Sequence, residues 1–559
     1  MNTRNIKYFL LAGVVSCGMA AGLTACSDWN DHYESAANGG AAGGTLWEQL
    51  KANPQLSDFC DVLEQTKVYR MHKKTPVSYA DLLGSGQAFT VAAPVNNTFN
   101  KDSLLRLVET VAGDSAVEKS FIQNHMTRSL TSSTAKPTKM LMLNMKHLMM
   151  EDGRIDNVPM TTANLRTDNG ILHILEHALP YKYNIFELLC DNPSLSAIGD
   201  NLRHFNKDEF NEAASVQNGV IDGVPVYVDS VIIELNPLLD AIGKLRDEDS
   251  TYLVVAPTTD GWTKAYNEAS EYFKYDETVD KRDSLQQYFT MRALMEDAIF
   301  NMTDQKNIVD SLISVPYIHS YQHYEKGKHV YHVFYRPFQA EGILYGAQKY
   351  QCSNGMLYAT EQWPFKPEDT YFKEIYVEGE ETYLMTDYTG CVYSVRNQTA
   401  DSISNNRYLS IVPVSATSNW TTTFQLNNTL SGSYDIYAII LPKSVDPEDK
   451  NPDMKPCKFK ASINYLDEKG KAQTFACAPE ASDAHRASAS EFKSIPECAD
   501  TVLLARDFKF PACNYGQSNM NFSIKIQCSI TARQTAQYAR EMYLDCIYLR
   551  PRTSKSEEQ

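Results

Sequence analysis

Four histidines in the middle of the chain are the densest group of potential metal ligands in the sequence: His319, His323, His329 and His332. His329 and His332 fall in a run that alternates like a β-strand. Residues three apart on a strand point to opposite faces, so these two cannot easily share an ion. His319 and His323 have helical spacing, but Pro316 disfavours a long helix there. We therefore expect surface histidines at these positions, with no metal site and no cofactor.

The carboxylates show no pattern typical of a catalytic site. Glu378, Glu380 and Glu381 crowd around Gly379, which is typical of a turn. A glycosidase needs two carboxylates that converge in space, and convergence cannot be seen in a sequence. The sequence contains no glycine-rich phosphate loop, no zinc-type Cys/His spacing and no Gly-x-Ser-x-Gly elbow. We assign no catalytic residue and do not expect an enzyme.

Cys26 is the one cysteine with a predicted covalent role. Arg4 and Lys7 precede an apolar stretch, residues 8–23, that is short and diluted by glycines, as in a signal peptide rather than a spanning helix. It ends in Leu-Thr-Ala-Cys, which resembles a bacterial lipobox, whose cysteine thiol takes a diacylglycerol. We predict a signal peptide at residues 1–25 and a membrane anchor at Cys26. The alternative is a cleaved, secreted protein with an incidental cysteine.

The residues after Cys26 predict where the anchored chain is displayed. Asp28 and Asp31 follow almost at once, and acidic residues there resemble the surface-export signal of Bacteroides-type outer-membrane lipoproteins. The alternative is a plain solvated spacer. Residues 26–44 end in a Gly/Ala-rich tether. The expected location is the outer membrane, with the chain facing the cell exterior.

Charge and composition limit the class of partner. The formal net charge is −17, and 43% of the residues are hydrophobic, including 33 Tyr and 22 Phe. Such a composition supports packed cores. Nucleic-acid binding depends on clustered Lys and Arg, so a nucleic-acid partner is not expected.

A short strand that ends at a proline occurs twice. Residues 89–94, Phe-Thr-Val-Ala-Ala-Pro, alternate like a buried strand that the proline ends, and helix-capping asparagines follow. Residues 252–257, Tyr-Leu-Val-Val-Ala-Pro, repeat this pattern of a buried strand that a proline ends. Upstream, residues 45–56 align without gaps to residues 184–195. Downstream, both copies close on an Asn-Gly strand, at residues 169–175 and 354–360.

This order of motifs resembles the fasciclin domain, whose marks are a Phe-Thr-Val-Phe-Ala-Pro-Thr-Asn strand and turn and an Asn-Gly-Val-Ile-His-Val-Ile-Asp closing strand. The resemblance implies an α+β fasciclin-like (FAS1) domain at residues 45–183, in which His125 and His173 are structural. Residues 184–365 depart from the pattern, because Tyr358 replaces the histidine of the closing strand. We predict a divergent second FAS1 domain there.

The last part of the chain changes character. Residues 366–552 contain many short alternating runs divided by Gly, Asn, Ser and Pro, which predicts an all-β sandwich, and residues 553–559 form a tail. Two stretches, residues 431–437 and 543–549, resemble carbohydrate-binding sandwiches of the galactose-binding, jelly-roll kind. This region also holds seven cysteines, an odd number, and although an exported location permits disulfides, their irregular spacing assigns no particular pairing.

The resemblance to fasciclin domains implies cell adhesion or extracellular binding, with a surface protein or a glycan as partner. The alternative is a glycan-capture accessory of an outer-membrane polysaccharide uptake system, which binds carbohydrate through the sandwich. For that role Trp420, at a loop-to-strand junction, is the candidate ligand-binding residue, because an exposed indole stacks on a sugar ring. The competing interpretation of Trp420 is a side chain that fills the sandwich core.

Overall fold

The structure is a computed structural model that describes residues 43–553 except 71–72, 222–223, 304, 306, 316, 319–328, 331 and 518–520. Of residues 70, 211–233, 317–318 and 329–330 it describes the backbone alone. The chain divides into two compact units. The first contains the residues up to Lys182 together with Glu212–Ile232, and the second contains Tyr183–Asn211 and the residues from Ile233 onward.

The first unit combines short helices with one large sheet. Its helices are α1 (Leu46–Ala52), α2 (Ser57–Gln65), α3 (Tyr79–Leu83), α4 (Lys101–Leu107) and α5 (Val111–Val117). Its strands are β1 (Lys67–Arg70), β2 (Lys73–Ser78), β3 (Phe89–Pro94), β4 (Met126–Thr127), β5 (Thr138–Leu141), β6 (His147–Glu151), β7 (Arg154–Ile155), β8 (Val158–Thr167) and β9 (Gly170–Leu175). The large sheet is seven-stranded, in the order β4-β3-β9-β8-β7-β6-β5.

Strand β3, which ends at Pro94, forms the centre of this unit. It is buried along its whole length and pairs in parallel with β9, from Phe89 opposite Gly170 to Pro94 opposite Leu175. A Cβ atom at Gly170 would lie 2.1 Å from the carbonyl oxygen of Phe89, so only glycine allows this approach. The predicted strand that ends at a proline is therefore the core strand of the unit.

The side chain of Asn169 ties the start of β9 to two other segments. Its carbonyl oxygen accepts the backbone N–H of Leu46 at 2.7 Å, at the start of α1. Its amide donates to the carbonyl oxygens of Leu83 at 2.8 Å and Ser85 at 2.7 Å. These three hydrogen bonds explain why an Asn-Gly pair closes the repeat: the asparagine is a buried connector, and the glycine makes room for β3.

The second unit begins with a second set of helices and strands. The helices are α6 (Ile185–Asp191), α7 (Ser196–Arg203), α8 (Pro237–Ile242), α9 (Thr259–Tyr272) and α10 (Arg282–Ala298). The strands are β10 (Lys207–Ile221), β11 (Val224–Leu235), β12 (Tyr252–Pro257), β13 (Ile299–Asn301), β14 (Ser311–Ile313), β15 (Tyr317–Ile318), β16 (His329–Val330), β17 (Val333–Tyr335), β18 (Gln348–Cys352) and β19 (Gly355–Thr360). Strands β10 and β11 form a two-stranded sheet of their own, and their residues from Glu212 to Ile232 are counted with the first unit.

The core of residues 184–365 repeats the geometry of the first unit. Strands β12 and β19 pair in parallel, within a four-stranded sheet in the order β13-β12-β19-β18. Asn354 accepts the backbone N–H of Ile185 at 2.9 Å. Its amide donates to the carbonyl oxygens of Leu245 at 2.9 Å and Asp247 at 3.0 Å. The internal repeat is thus present in three dimensions, with the same connector as Asn169.

Residues 366–552 are rich in sheet, as expected. The strands are β20 (Ile375–Glu378), β21 (Met385–Thr389), β22 (Cys391–Asn397), β23 (Arg407–Pro413), β24 (Thr421–Gln425), β25 (Ser433–Leu441), β26 (Lys458–Leu466), β27 (Ala472–Ala476), β28 (Arg486–Ser488), β29 (Glu491–Lys493), β30 (Asp500–Lys509), β31 (Ser523–Cys528) and β32 (Met542–Pro551). One six-stranded sheet is ordered β22-β23-β32-β25-β30, with β20 also on β32. One seven-stranded sheet is ordered β21-β24-β31-β26-β29-β28, with β27 also on β26. Apolar side chains from both sheets share one core, which makes the region a β-sandwich.

This sandwich is packed together with the helices that precede it. Residues 184–365 and 366–552 were predicted as separate domains, but both, apart from Glu212–Ile232, belong to the second compact unit. Phe273, which follows α9, is 1% exposed and belongs to the sandwich core, and Phe289 of α10 packs against that core. The linker between the two parts is therefore not a free hinge.

Candidate functional site

Trp420 lies in the sandwich core and not on its surface. Its side chain is 1% exposed, and its indole N–H donates to the carbonyl oxygen of Arg540 at 2.5 Å. The Arg540 guanidinium in turn donates to the carbonyl oxygens of Ala416 at 2.6 Å and Ile530 at 2.9 Å. A buried indole cannot stack on a sugar ring, so the ligand-binding interpretation of Trp420 is wrong. The alternative, a tryptophan that fills the core, is what the structure has.

The lipidation site Cys26 and the acidic residues Asp28 and Asp31 lie outside the described residues. Across the part of the chain that the structure describes, no helix has both the length and the apolar character needed to cross a membrane. The anchor therefore stays a prediction of the sequence.

Two histidines that the fasciclin pattern marks are buried and hydrogen-bonded. The backbone N–H of Leu179 donates to Nε2 of His125 at 2.9 Å, so Nδ1 carries the proton and donates to the carbonyl oxygen of Phe121 at 2.7 Å. Burial lowers the pKa of His125 to about 4. His173 is also fully buried, and its Nε2 faces the carbonyl oxygen of Thr131 at 3.0 Å. Both side chains are structural, as expected.

Of the four histidines grouped in the second unit, only His332 has a described side chain. His319 and His323 lie outside the described residues, and only the backbone of His329 is described. His332 has its Nδ1 against the carboxylate of the buried Asp297. Among the described side chains, no group of three or more His, Cys, Asp or Glu is arranged to hold a metal ion.

Four carboxylates converge in the sandwich, where the sequence predicted only a turn. Glu378 at the end of β20 and Asp545 in β32 are each 2% exposed, and Glu380 and Glu381 follow directly. Ser404 donates its hydroxyl to Glu378 at 2.9 Å and its backbone N–H to Asp545 at 3.0 Å. One carboxylate oxygen in each of the three glutamates is buried without a hydrogen-bond partner in the structure as described. We call these four residues the carboxylate cluster.

Burial and the neighbouring negative charges raise the pKa values of two members of the carboxylate cluster, Glu378 and Asp545, toward neutral pH. Burial is the main cause that raises the pKa of Glu378 to about 7; the Ser404 hydroxyl opposes the rise, and Glu380 adds to it. Burial likewise raises the pKa of Asp545 to about 7. Carboxylate oxygens are also ligands that Ca²⁺ prefers, although these four lack the arrangement of a metal site. The cluster is best described as a proton-binding group.

The buried cysteines Cys477 and Cys528 of the sandwich are poor nucleophiles. Burial raises the pKa of Cys477 to about 12 and that of Cys528 to about 11. A buried thiol with a raised pKa is mostly protonated and unreactive at neutral pH. Cys498 is exposed and is a free thiol.

An open cleft lies in the second unit beside α9. Its volume is about 600 Å³, within the range of about 300–1,000 Å³ typical of small-ligand sites. The walls come from one face of α9, from residues 362–368 after β19, and from the end of β32. Its main polar and aromatic lining residues are Lys264, Glu268, Tyr272, Gln362, Trp363 and Arg552.

The two main aromatic rings of this cleft are half-buried and pack against neighbouring aromatic rings. Trp363 packs with its ring centroid 5.9 Å from that of Trp262 and 4.9 Å from that of Phe365. Tyr272 has its centroid 4.6 Å from that of Phe372. The pKa of Tyr272 is raised, first by burial and then by the charges of two nearby carboxylates. The rings are thus fixed by packing, while part of each stays accessible.

Two exposed surfaces complete the set of candidates. On the sandwich, Tyr388 and Tyr393 are 48% and 36% exposed, and their ring centroids lie 4.8 Å apart. On the first unit, Leu141, Met145 and Met149 are 42%, 62% and 39% exposed along the hairpin of β5 and β6. We call these three residues the apolar hairpin face.

The comparisons with known proteins define the class of the first domain. The family model of the fasciclin domain matches residues 54–181. These residues form a fasciclin domain, which confirms the fasciclin resemblance of the first part of the chain, while the bounds of residues 45–183 stay a prediction. No curated protein matches the chain.

Several solved structures show likenesses that cover larger parts of the chain at low TM-scores. A FAS1 domain pair from the insect cell adhesion molecule fasciclin I is 12% identical over 58% of this chain and 97% of its own, with a TM-score of 0.18. A family 22 carbohydrate-binding module from a Clostridium thermocellum xylanase is 9% identical over 31% of this chain and 91% of its own, with a TM-score of 0.18. Paenibacillus xanthan lyase is 13% identical over 36% of this chain and 16% of its own, with a TM-score of 0.20.

Sequence reasoning missed the carboxylate cluster and the cleft. A signal for the cluster was present in Asp545, a charged residue inside the apolar run of β32. The cleft had a weaker signal in Trp363, an aromatic residue beside prolines and charged residues in a connecting segment. Each site draws residues from distant parts of the chain.

Proposed function

We propose that this chain is a cell-surface lipoprotein, anchored through Cys26, that acts as an adhesion or extracellular binding protein and catalyses no reaction. The observation that carries the proposal is the fasciclin domain at residues 54–181. Fasciclin domains mediate adhesion, often as tandem copies. The export signal after Cys26 supports a location on the outer membrane, facing the exterior.

We interpret residues 184–365 as a divergent fasciclin domain. The support is geometric: the parallel pair of β12 and β19 corresponds to that of β3 and β9, and Asn354 makes the hydrogen bonds that Asn169 makes in the first copy. A tandem pair of this kind suits an adhesion protein, because two similar modules extend the surface that one chain offers.

The apolar hairpin face is the candidate contact surface of the first domain. Leu141 and Met149 lie on the exposed face of the β5–β6 hairpin, Met145 lies in its turn, and β5 is an edge strand. Exposed apolar side chains grouped on one face favour a protein contact. A surface protein is therefore the expected partner of this domain.

The test is retention of beads that carry the full mature chain on surfaces coated with matrix proteins. Changing Leu141, Met145 and Met149 together to Ser should lower retention several-fold. The matched control is Val111→Ser, because Val111 is 62% exposed in the same unit. Equal retention of the triple variant and the control, with unchanged melting temperatures, would remove the apolar hairpin face from the proposal.

The second candidate function is glycan capture through the sandwich, as an accessory of an outer-membrane polysaccharide uptake system. The exposed pair Tyr388 and Tyr393 favours it, since sugar sites use accessible aromatic rings, and a jelly-roll sandwich is a common carrier of such sites. The test is a glycan array with the full mature chain. Changing both tyrosines to Ala should lower binding, whereas Tyr345→Ala, at a position 66% exposed, should leave binding intact.

A further inference from the structure

The cleft beside α9 has a mixed lining that fits an uncharged, hydroxyl-rich ligand. Lys264, Lys366 and Arg552 supply positive charge, Glu268 and Glu368 supply negative charge, and Gln362 adds an amide. Charges of both signs give no strong preference for an ionic ligand. Amine, carboxylate and amide groups together can donate to and accept from neutral hydroxyl groups, which carry a donor and acceptors on one atom.

The aromatic residues of the cleft fit the apolar face of such a ligand. Trp363 and Tyr272 are half-buried, and Trp262, Phe365 and Phe372 hold them from behind. A ring that is already fixed loses little conformational entropy when a ligand packs on it. A pyranose has an apolar C–H face and a polar hydroxyl rim, and the cleft offers partners to both.

The Tyr272 hydroxyl is available to hydrogen-bond to a ligand. Within the described residues it makes no hydrogen bond, yet the charges of Glu268 and Glu368 are close enough to raise its pKa. The Tyr272 phenol therefore lies near two carboxylates, but in the described residues it donates a hydrogen bond to neither of them. A ligand hydroxyl can accept from the phenol and donate to a carboxylate, which completes the chain of hydrogen bonds.

We infer that this cleft binds a neutral pyranose unit of an extended oligosaccharide. The inference rests on the glycan-capture alternative of the proposed function, and it moves the site from the outer surface of the sandwich to its junction with α9. The cleft is open along one side, so neighbouring sugar units can continue into solvent. Tyr272 and Glu268 are the binding residues with the most specific role, since each contributes a hydrogen bond to the ligand.

The experiment is a calorimetric titration of the full mature chain with neutral six-unit oligosaccharides, beside uronate-containing ones of the same length. Tyr272→Phe removes the hydroxyl and keeps the ring, and Glu268→Gln removes the charge and keeps the shape. Tyr272→Phe should weaken binding about tenfold, the effect of losing one hydrogen bond of roughly 1.4 kcal/mol. Glu268→Gln keeps an acceptor oxygen but loses the charge that strengthens its hydrogen bond, so it should weaken binding severalfold. Glu271→Gln is the matched control, because Glu271 is an exposed glutamate of the same helix outside the cleft, and it should bind like the unchanged chain.

The outcomes separate this inference from the proposed function. Neutral binding that falls in both cleft variants and not in Glu271→Gln supports the site. Glycan binding that the cleft variants leave unchanged, but that Tyr388→Ala lowers, overturns the site and keeps glycan capture. A chain that binds only uronate-containing ligands overturns the neutral class. A chain that binds no oligosaccharide overturns both the inference and the glycan-capture function. Melting temperatures within about 2 °C of the unchanged chain guard against misfolded variants.

Discussion

The ring of Phe273 packs edge-on against the ring of Tyr515, with centroids 5.4 Å apart and planes at 86°. Phe273 follows α9, and Tyr515 lies in the loop before β31. Phe289 of α10 joins them, with its centroid 5.0 Å from that of Tyr515. Edge-to-face aromatic pairs contribute about 0.5–1.5 kcal/mol each beyond the area they bury. This shared cluster explains why the helices and the sandwich form one compact unit.

Replacing Phe273 by Ala should therefore destabilise the whole second unit. We expect the free energy of unfolding to fall by about 3–5 kcal/mol, the usual cost of deleting a buried Phe. Calorimetry of a chain from Tyr183 onward should show one transition that shifts as a whole. Phe475→Ala, at a position 42% exposed, should cost under about 1 kcal/mol. Two separate transitions, with only one shifted, would contradict the shared core.

Trp420→Phe should reduce stability and leave ligand binding unchanged. The substitution keeps an aromatic ring in the core but removes the N–H that donates to the Arg540 carbonyl. Leaving that buried carbonyl oxygen without its donor should cost about 1–3 kcal/mol. Chemical denaturation measures the cost, and a glycan array measures binding. Lost binding at an unchanged stability would return Trp420 to the ligand site.

The carboxylate cluster should make stability depend on pH between about 4 and 7. The pKa values of Glu378 and Asp545 are about 7 in the folded chain, above the values of roughly 4 expected when unfolded. The folded state thus binds protons more tightly in this window. The stability that these protons supply is present in full below pH ~4 and is lost as pH rises through ~7.

Glu378→Gln tests this dependence directly. The variant removes one buried charge, so it should melt higher than the unchanged chain at pH 8 and show no such gain at pH 4. Melting in EDTA keeps divalent cations out of the cluster. Glu497→Gln, an exposed glutamate of the sandwich, should show no difference between the two pH values. A Glu378→Gln variant equally destabilised at both pH values would contradict the account.

Local patterns made the repeats predictable. The strand ending at Pro94 and the Asn-Gly pair at Asn169 depend on neighbours in sequence, because proline ends a ladder and glycine admits a close strand. The same patterns located β12 and Asn354 in the second copy. Alternating residues also indicated the sandwich strands. Fold elements set by short-range chemistry were thus accessible from the sequence.

The sites were not predictable in the same way. Glu378 and Asp545 meet only because β20 pairs with β32 across the sheet. Trp420 has the same local sequence whether it points to solvent or to the core, and its burial depends on Arg540 far along the chain. Separate domains were expected because short alternating runs replace the helical patterns from residue 366 onward, and the packing of Phe273 could not be seen. Long-range pairing decides these features.

Replacing Cys26 by Ala should release the protein from membranes. The acyl chains supply the attachment, so the variant should appear in the soluble fraction after a carbonate wash. Removing Asp28 and Asp31 while keeping Cys26 should preserve attachment and reduce digestion by external protease. Membrane attachment that survives Cys26→Ala would contradict the lipid anchor, and unchanged protease sensitivity would contradict the export signal.

The most direct test of the central claim is binding without turnover by the full mature chain. Beads that carry the chain should be retained on at least one class of coated surface, matrix protein or oligosaccharide. The bound material should be recovered chemically unchanged by mass spectrometry. A weak affinity per contact, in the micromolar to millimolar range, is expected from a shallow site. Retention on neither class of surface, or recovery of a cleaved or modified ligand, would contradict the account.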